Sequence, residues 1–140
     1  MKFKLLKGDI EEFALFDEFF PENSSELQIQ TGIEVKINIK DERLALSHSV
    51  KFENNSDIIL KIKSTFYFGF DENTWNDFIK EEAIIIETAK LCRLGEIVVG
   101  ATRGMLMAKT ANTEFSKLIL PPIKLGELFQ EDLIFNKKSN

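Results

Sequence analysis

The stretch Lys90–Lys109, KLCRLGEIVVGATRGMLMAK, decides how this 140-residue chain is read. At about 100° per residue, Leu91, Leu94, Val98, Ala101, Thr102 and Met105 fall on one stripe of a helix. Cys92, Ile97, Val99 and Leu106 widen that stripe to roughly 220°, about twice what a surface helix needs. The remaining arc carries Arg93, Glu96 and Arg103, but Gly100, Gly104 and Met107 stand between them where a solvated helix carries Lys, Glu or Gln. Each glycine costs roughly 1 kcal/mol relative to Ala, a cost that close approach of another backbone offsets. The helix is therefore expected to be covered on both sides, by its own sheet and by a second copy. The interface would be drawn from Arg93, Glu96, Ile97, Gly100, Arg103, Gly104 and Met107. A single buried helix in a monomer, kinked at Gly95 or Gly100, is the plainer alternative.

Upstream of this helix the pattern is strand-like. From Leu27 to Ile39, odd-numbered apolar residues alternate with Gln28, Gln30, Glu34, Lys36 and Asn38, the mark of a strand with one buried and one wet face. After a turn at Lys40–Arg43, Leu44, Leu46, His48, Val50 and Phe52 continue the alternation. After Asn54–Asp57, a third strand places Ile58, Leu60, Ile62, Ser64, Phe66, Phe68 and Phe70 inward and Ile59 and Tyr67 on the wet face. Residues 3–20 admit two readings. One is a helix capped by Asp9 with Ile10, Phe13, Phe16 and Phe20 on its apolar side; the other, preferred here, is a strand with a bulge near Gly8. Pro21, Glu22, Asn23, Ser24 and Ser25 read as a connection.

Asp71–Thr74 closes the sheet and caps a short helix through Trp75, Phe78 and Ile79. Ile84, Ile85 and Ile86 lead into the main helix, which is expected to end between Thr110 and Thr113. Pro121 and Pro122 then exclude regular structure. The surrounding segment should lie extended, pressing Leu118, Leu120 and Ile123 onto the core before a short helix around Glu127–Ile134. Strands first and helices after argue an α+β fold, an antiparallel sheet with helices on one face. One domain over residues 1–135 and a polar tail over 136–140 account for the chain.

Composition narrows the function classes. Net charge is −5 with Lys and Arg dispersed, so no basic stripe marks a nucleic-acid surface. No apolar run reaches the roughly 20 residues of a membrane span, no signal peptide is legible, and a single cysteine suits a reducing compartment; a cytoplasmic location is expected. His48, the one histidine, alternates toward the core, and Cys92 sits on the helix's apolar edge, so both read as structural. No metal-ligand spacing and no phosphate-binding glycine loop is present, and no cofactor is expected. Arg93, Glu96 and Arg103 have the spacing of an ion-pair ladder; no catalytic residue is assigned. The chain does carry thirteen Phe, with Phe66, Tyr67, Phe68, Phe70, Trp75 and Phe78 closely spaced. That is more aromatic surface than one core face absorbs, and leftover apolar surface suits an extended apolar peptide.

The long strands, then TAKLCRLGEIVVGATRGMLMAKT, then LILPPIKLGELF from Leu118 to Phe129, resemble the SecB protein-export chaperone family in its divergent SecB-like branch. The resemblance spans about residues 27 to 135 and rests on apolar, diffuse motifs. It implies a four-stranded antiparallel sheet of meander or Greek-key type, with the long helix packed across one face and short helices beside it. It implies a homotetramer, a dimer of dimers through those helices, and an ATP-independent holdase for non-native or precursor polypeptides. The implied client groove is lined by Tyr67, Phe68, Phe70, Trp75, Phe78, Phe115 and Leu118. The family docks on the SecA translocase through acidic residues of its sheet; Asp9 and Glu11 fit the first-strand part, whereas Lys61 and Lys63 stand where a carboxylate is expected. The alternatives are a dedicated partner of one client such as an antitoxin, and an oligomeric enzyme or ligand-binding protein. Direct membrane insertion and nucleic-acid binding are not expected.

Overall fold

The computed structural model describes residues 1–22 and 27–137. Asn23, Ser24 and Ser25 of the expected connection, and residues 138–140 of the expected tail, lie outside the described residues. Period-2 alternation produces four long strands, β1 (Phe3–Leu15), β2 (Gln28–Asn38), β3 (Arg43–Asn54) and β4 (Asp57–Phe70), in one antiparallel sheet ordered β1-β4-β3-β2. The first stretch is thus a strand, with register shifts at Leu5/Lys7 and Ile10/Glu12 on either side of Gly8. A 3-10 turn at Asp17–Phe19 follows it.

Helix α1 (Glu72–Phe78) is capped by the Asp71 carboxylate, which accepts from the Thr74 amide at 2.9 Å. The main helix, α2 (Thr88–Thr110), runs across β3 and β4. Leu91, Leu94, Val98 and Leu106 are fully buried against Leu44, Leu46, Val50, Leu60 and Phe68 in one core, each side chain contributing about 1.5–3 kcal/mol by leaving water. Asn112, in the left-handed region at φ 65°, follows the helix end. No helix among the described residues is long and apolar enough to cross a membrane.

Four expectations need correction. Ile59 is fully buried rather than wet, because the register shift at Phe52/Glu53 leaves it without a β3 partner and turns it inward. Ile84–Ile86 is not a lead-in but part of β6 (Ala83–Ile86), in a second, three-stranded sheet with β5 (Ile79–Lys80) and β7 (Leu133–Asn136). The terminal helix, expected over Glu127–Ile134, stops after one turn as α3 (Leu125–Leu128). Beyond it Asp132 accepts from the amide and hydroxyl of Thr88, both at 2.8 Å, and so caps the uncapped start of α2. Leu133 to Asn136 then pair with β6, so Asn136 belongs to a strand rather than to a tail.

The expected extended segment is present: Leu118 and Leu120 are buried and Ile123 packs against the core. Its backbone is held by Arg103, whose Nε donates to Leu120 O at 2.8 Å and whose guanidinium also donates to Pro121 O at 2.9 Å. Close packing of this segment explains one glycine of α2. A Cβ at Gly95 would stand 3.0 Å from the Phe129 ring and 3.1 Å from Leu125 Cδ2. Overpacking costs about 1–3 kcal/mol and outweighs the helix propensity that Ala gains. Gly95→Ala is therefore expected to lower unfolding stability by about 1 kcal/mol, measured by urea denaturation.

Candidate functional site

Because α2 lies over β3 and β4, the inward face of the edge strand β2 is left partly open. Ile33 and Val35 of that face are half-buried. Opposite them stand Leu128, Phe129, Leu133 and Phe135 from α3, β7 and the turn between them, and together they enclose a cleft of about 560 Å³ with Glu127, Gln130 and Glu131 on its rim. Its lining combines these apolar side chains with polar and acidic groups at the mouth, and among the described residues the hydrogen-bonding edge of β2 beyond it carries no neighbouring strand.

The residues read from sequence as a client groove are only partly gathered. Phe70, Trp75 and Phe78 form one aromatic cluster, with ring centroids 5.1–6.2 Å apart. Phe68, Trp75, Phe78, Phe115 and Leu118 are buried, so in this conformation they support a surface rather than present one. Tyr67 lies on the opposite face of the sheet, in register with Ala45. Reasoning from sequence did not assemble Ile33, Val35, Leu133 and Phe135, although the two-residue alternation in each segment carried the signal.

On α2, Arg93, Glu96, Gly100 and Gly104 are exposed, Ile97 is half-buried, and Met107 is 55% exposed. A Cβ at Gly100 or Gly104 would meet nothing within 4 Å. Arg93 lies over the Phe3 ring at 5.8 Å, and Arg103 is committed to the carbonyls of Leu120 and Pro121. The expected Arg93–Glu96–Arg103 ladder is therefore not formed in this chain: guanidinium donors go to the main chain and to an aromatic face instead. Asp9 is paired with Lys7 at 3.2 Å. Glu11 accepts from Thr65 Oγ1 at 2.6 Å and pairs with Lys63 at 3.5 Å; the Thr65 hydrogen bond first, then Lys63, holds its carboxyl below the usual range against some desolvation.

Under α2 lies a buried polar seam. Thr102 Oγ1 donates to Val98 O at 2.8 Å, which spends its single proton. It must then accept from Ser64 Oγ at 2.8 Å and from His48 Nδ1 at 3.0 Å. His48 is consequently the neutral Nδ1–H tautomer, and its Nε2 accepts from Thr31 Oγ1 at 2.7 Å. Burial, with a smaller contribution from nearby Arg103, depresses the His48 pKa to about 4. The seam ties β2, β3, β4 and α2 together next to the cleft.

No protein-family model and no curated protein matches the sequence. Among solved structures, the chain is similar to the Mycobacterium tuberculosis SecB-like chaperone Rv1957, solved in complex with a ChAD peptide from the HigA1 antitoxin Rv1956. The likeness has a TM-score of 0.53 at 9% identity and covers 87% of this chain and 91% of that one. The fold is thus SecB-like, in strongly divergent sequence, and the neighbour is a chaperone rather than an enzyme.

The seam makes stability pH-dependent. The unfolded chain takes up the His48 proton as pH falls through 6.5, the folded chain only near 4, so stability present above pH 6.5 is lost as pH falls toward 4. The loss is on the order of 3 kcal/mol. Urea midpoints measured between pH 7 and 5 are expected to fall, and His48→Gln should flatten that slope.

Proposed function

We propose that this chain is an ATP-independent chaperone of SecB-like type that holds non-native or precursor polypeptides in extended form, acting in the cytoplasm without a cofactor. The observation that carries the reading is the apolar cleft between Ile33 and Val35 on one side and Leu128, Phe129, Leu133 and Phe135 on the other. An extended segment laid there buries apolar side chains, and the edge of β2, unpaired among the described residues, offers main-chain hydrogen bonds that do not depend on client sequence. Glu127 and Glu131 at the mouth favour segments flanked by Lys or Arg. The SecB-like fold, seen in a neighbour that binds an antitoxin peptide, supports polypeptide as the ligand class.

A specific observation favours the second reading, a dedicated client partner with no export role. Asp9, Glu11 and Glu12 are neutralised within the sheet by Lys7, Lys63 and Lys61. Carboxylates already paired offer little to a basic translocase surface such as that of SecA. Recovery of many precursors from the native cell supports the general holdase, whereas recovery of one protein supports the dedicated partner.

The open glycine face of α2 supports assembly into a dimer of dimers through Gly100, Gly104 and Met107. Light scattering is expected to give the mass of four copies of the 16.1 kDa chain, and Gly104→Leu should split that assembly while leaving each subunit folded. The mass of a single copy would remove the assembly reading.

Function is tested by aggregation of an unfolded client at stoichiometric ratio without nucleotide. Suppression is expected, and Leu128→Asp or Phe135→Asp should weaken client binding by about tenfold or more, while Lys80→Ala should not. Absence of suppression by the wild-type protein overturns the reading.

A further inference from the structure

The outer face of the four-stranded sheet, away from α2 and from the cleft, holds a second concavity. Residues paired directly across antiparallel strands point to one side, so the register defines three rows on this face. Asn38, Arg43, Gly69 and Lys4 form the first, Lys36, Ala45, Tyr67 and Lys7 the second, and Glu34, Ser47, Thr65 and Asp9 the third. The middle row drops at Ala45. Lys36 and Tyr67 wall the dip, Arg43 stands at one end, and Ser47 and Thr65, both buried, floor the other. The resulting pocket is about 340 Å³, within the range of small-ligand sites at about 300–1,000 Å³.

Its two ends differ in chemistry. Glu11, the extra residue at the β1 register shift, turns its carboxylate onto Thr65. Thr65 spends its proton on Glu11, so Ser47 donates to Thr65 at 2.7 Å. That end therefore offers acceptors, the remaining lone pairs of Ser47 Oγ and the Glu11 carboxylate, with the Lys63 ammonium paired to Glu11 beside them at 3.5 Å. The other end carries two cations against one carboxylate: Lys36 and Arg43 make no ion pair among the described residues, and Asp41, which also borders the pocket, accepts from the neutral Asn38 Nδ2 at 3.0 Å and keeps its charge.

We propose that this pocket binds a small organic acid, a carboxylate or phosphate ester, whose anionic end meets Lys36 and Arg43 beside Tyr67 and whose far end donates a hydrogen bond to Ser47 and Glu11. The site stands apart from the cleft, so it survives or fails independently of the chaperone reading. Amide chemical shifts are followed at low ionic strength while the full chain is titrated with 4-hydroxybenzoate, with glycerol 1-phosphate and with an all-Glu hexapeptide. Saturable shifts centred on Ala45, Ser47 and Tyr67 are expected with one of the two small anions, and which one responds identifies the oxyacid. Lys36→Met with Arg43→Met should weaken binding by about tenfold or more. Ala45→Leu fills the dip with both cations intact and should abolish binding, while Lys51→Met, on the same face outside the pocket, should leave it unchanged. No saturable shift with either small anion, a response to the hexapeptide alone, or wild-type titration by the Ala45→Leu chain would overturn the proposal.

Discussion

The Thr102 hydroxyl has one proton, and giving it to Val98 O sets the orientation of everything it touches. Ser64 and His48 are obliged to donate to it, and Thr31 to donate to His48. In a seam where Thr102, Ser64 and His48 are fully buried, any other arrangement leaves a polar atom without a partner, at about 1–3 kcal/mol. Apolar contacts between α2 and the sheet tolerate sliding; this chain of hydrogen bonds does not. It fixes the rotation and height of the helix over β3 and β4, and the rest of the architecture follows from that position.

A helix about 10 Å wide covers two strands spaced about 4.8 Å apart, so a four-stranded sheet keeps two strands that need other cover. On β1, Phe3 and Phe13 lie under the long cationic side chains of Arg93 and Lys109. On β2 cover falls to the C-terminal segment, placed by Arg103 at its proline step and by Asp132 at the start of α2. That cover is incomplete, and the incompleteness is the cleft. The segment is tied to α2 at two polar points and to β6 by the β7 ladder, and between these ties it rests on side-chain packing.

The other face of the sheet follows electrostatic logic. The ion pairs Lys7–Asp9, Lys61–Glu12 and Lys63–Glu11 are partly solvated and individually worth about 0–1 kcal/mol. Their weight lies in what they remove from view: the carboxylates of β1 are spent locally, whereas Lys36 and Arg43 beside the outer-face pocket make no ion pair among the described residues. A face that is acidic by residue count on its first strand therefore presents cations where it is concave.

The amino-acid sequence alone determined the long elements of this protein: the alternating strands, the main helix over nearly its full length, the extended proline segment, and the SecB-like resemblance those elements carry. The strands and the helix rest on a repeat of 2 or 3.6 residues sustained over ten or more positions, and the proline segment on two adjacent residues that cannot join a helix or a central strand, all local properties of the chain. Only the tertiary structure decided that Ile59 faces inward, since one unpaired residue at a bulge inverts the alternation without altering composition. Only it revealed β5, β6 and β7, whose two to four residues are too few for a period and owe their ladder to one another. It also separated the glycines of α2, Gly95 under Phe129 and Leu125 and Gly100 and Gly104 facing open space, because what covers a residue is a property of distant segments. The cleft was legible only as unassembled halves, the alternations around Ile33 and Leu133, since it exists by virtue of what the main helix is too narrow to reach.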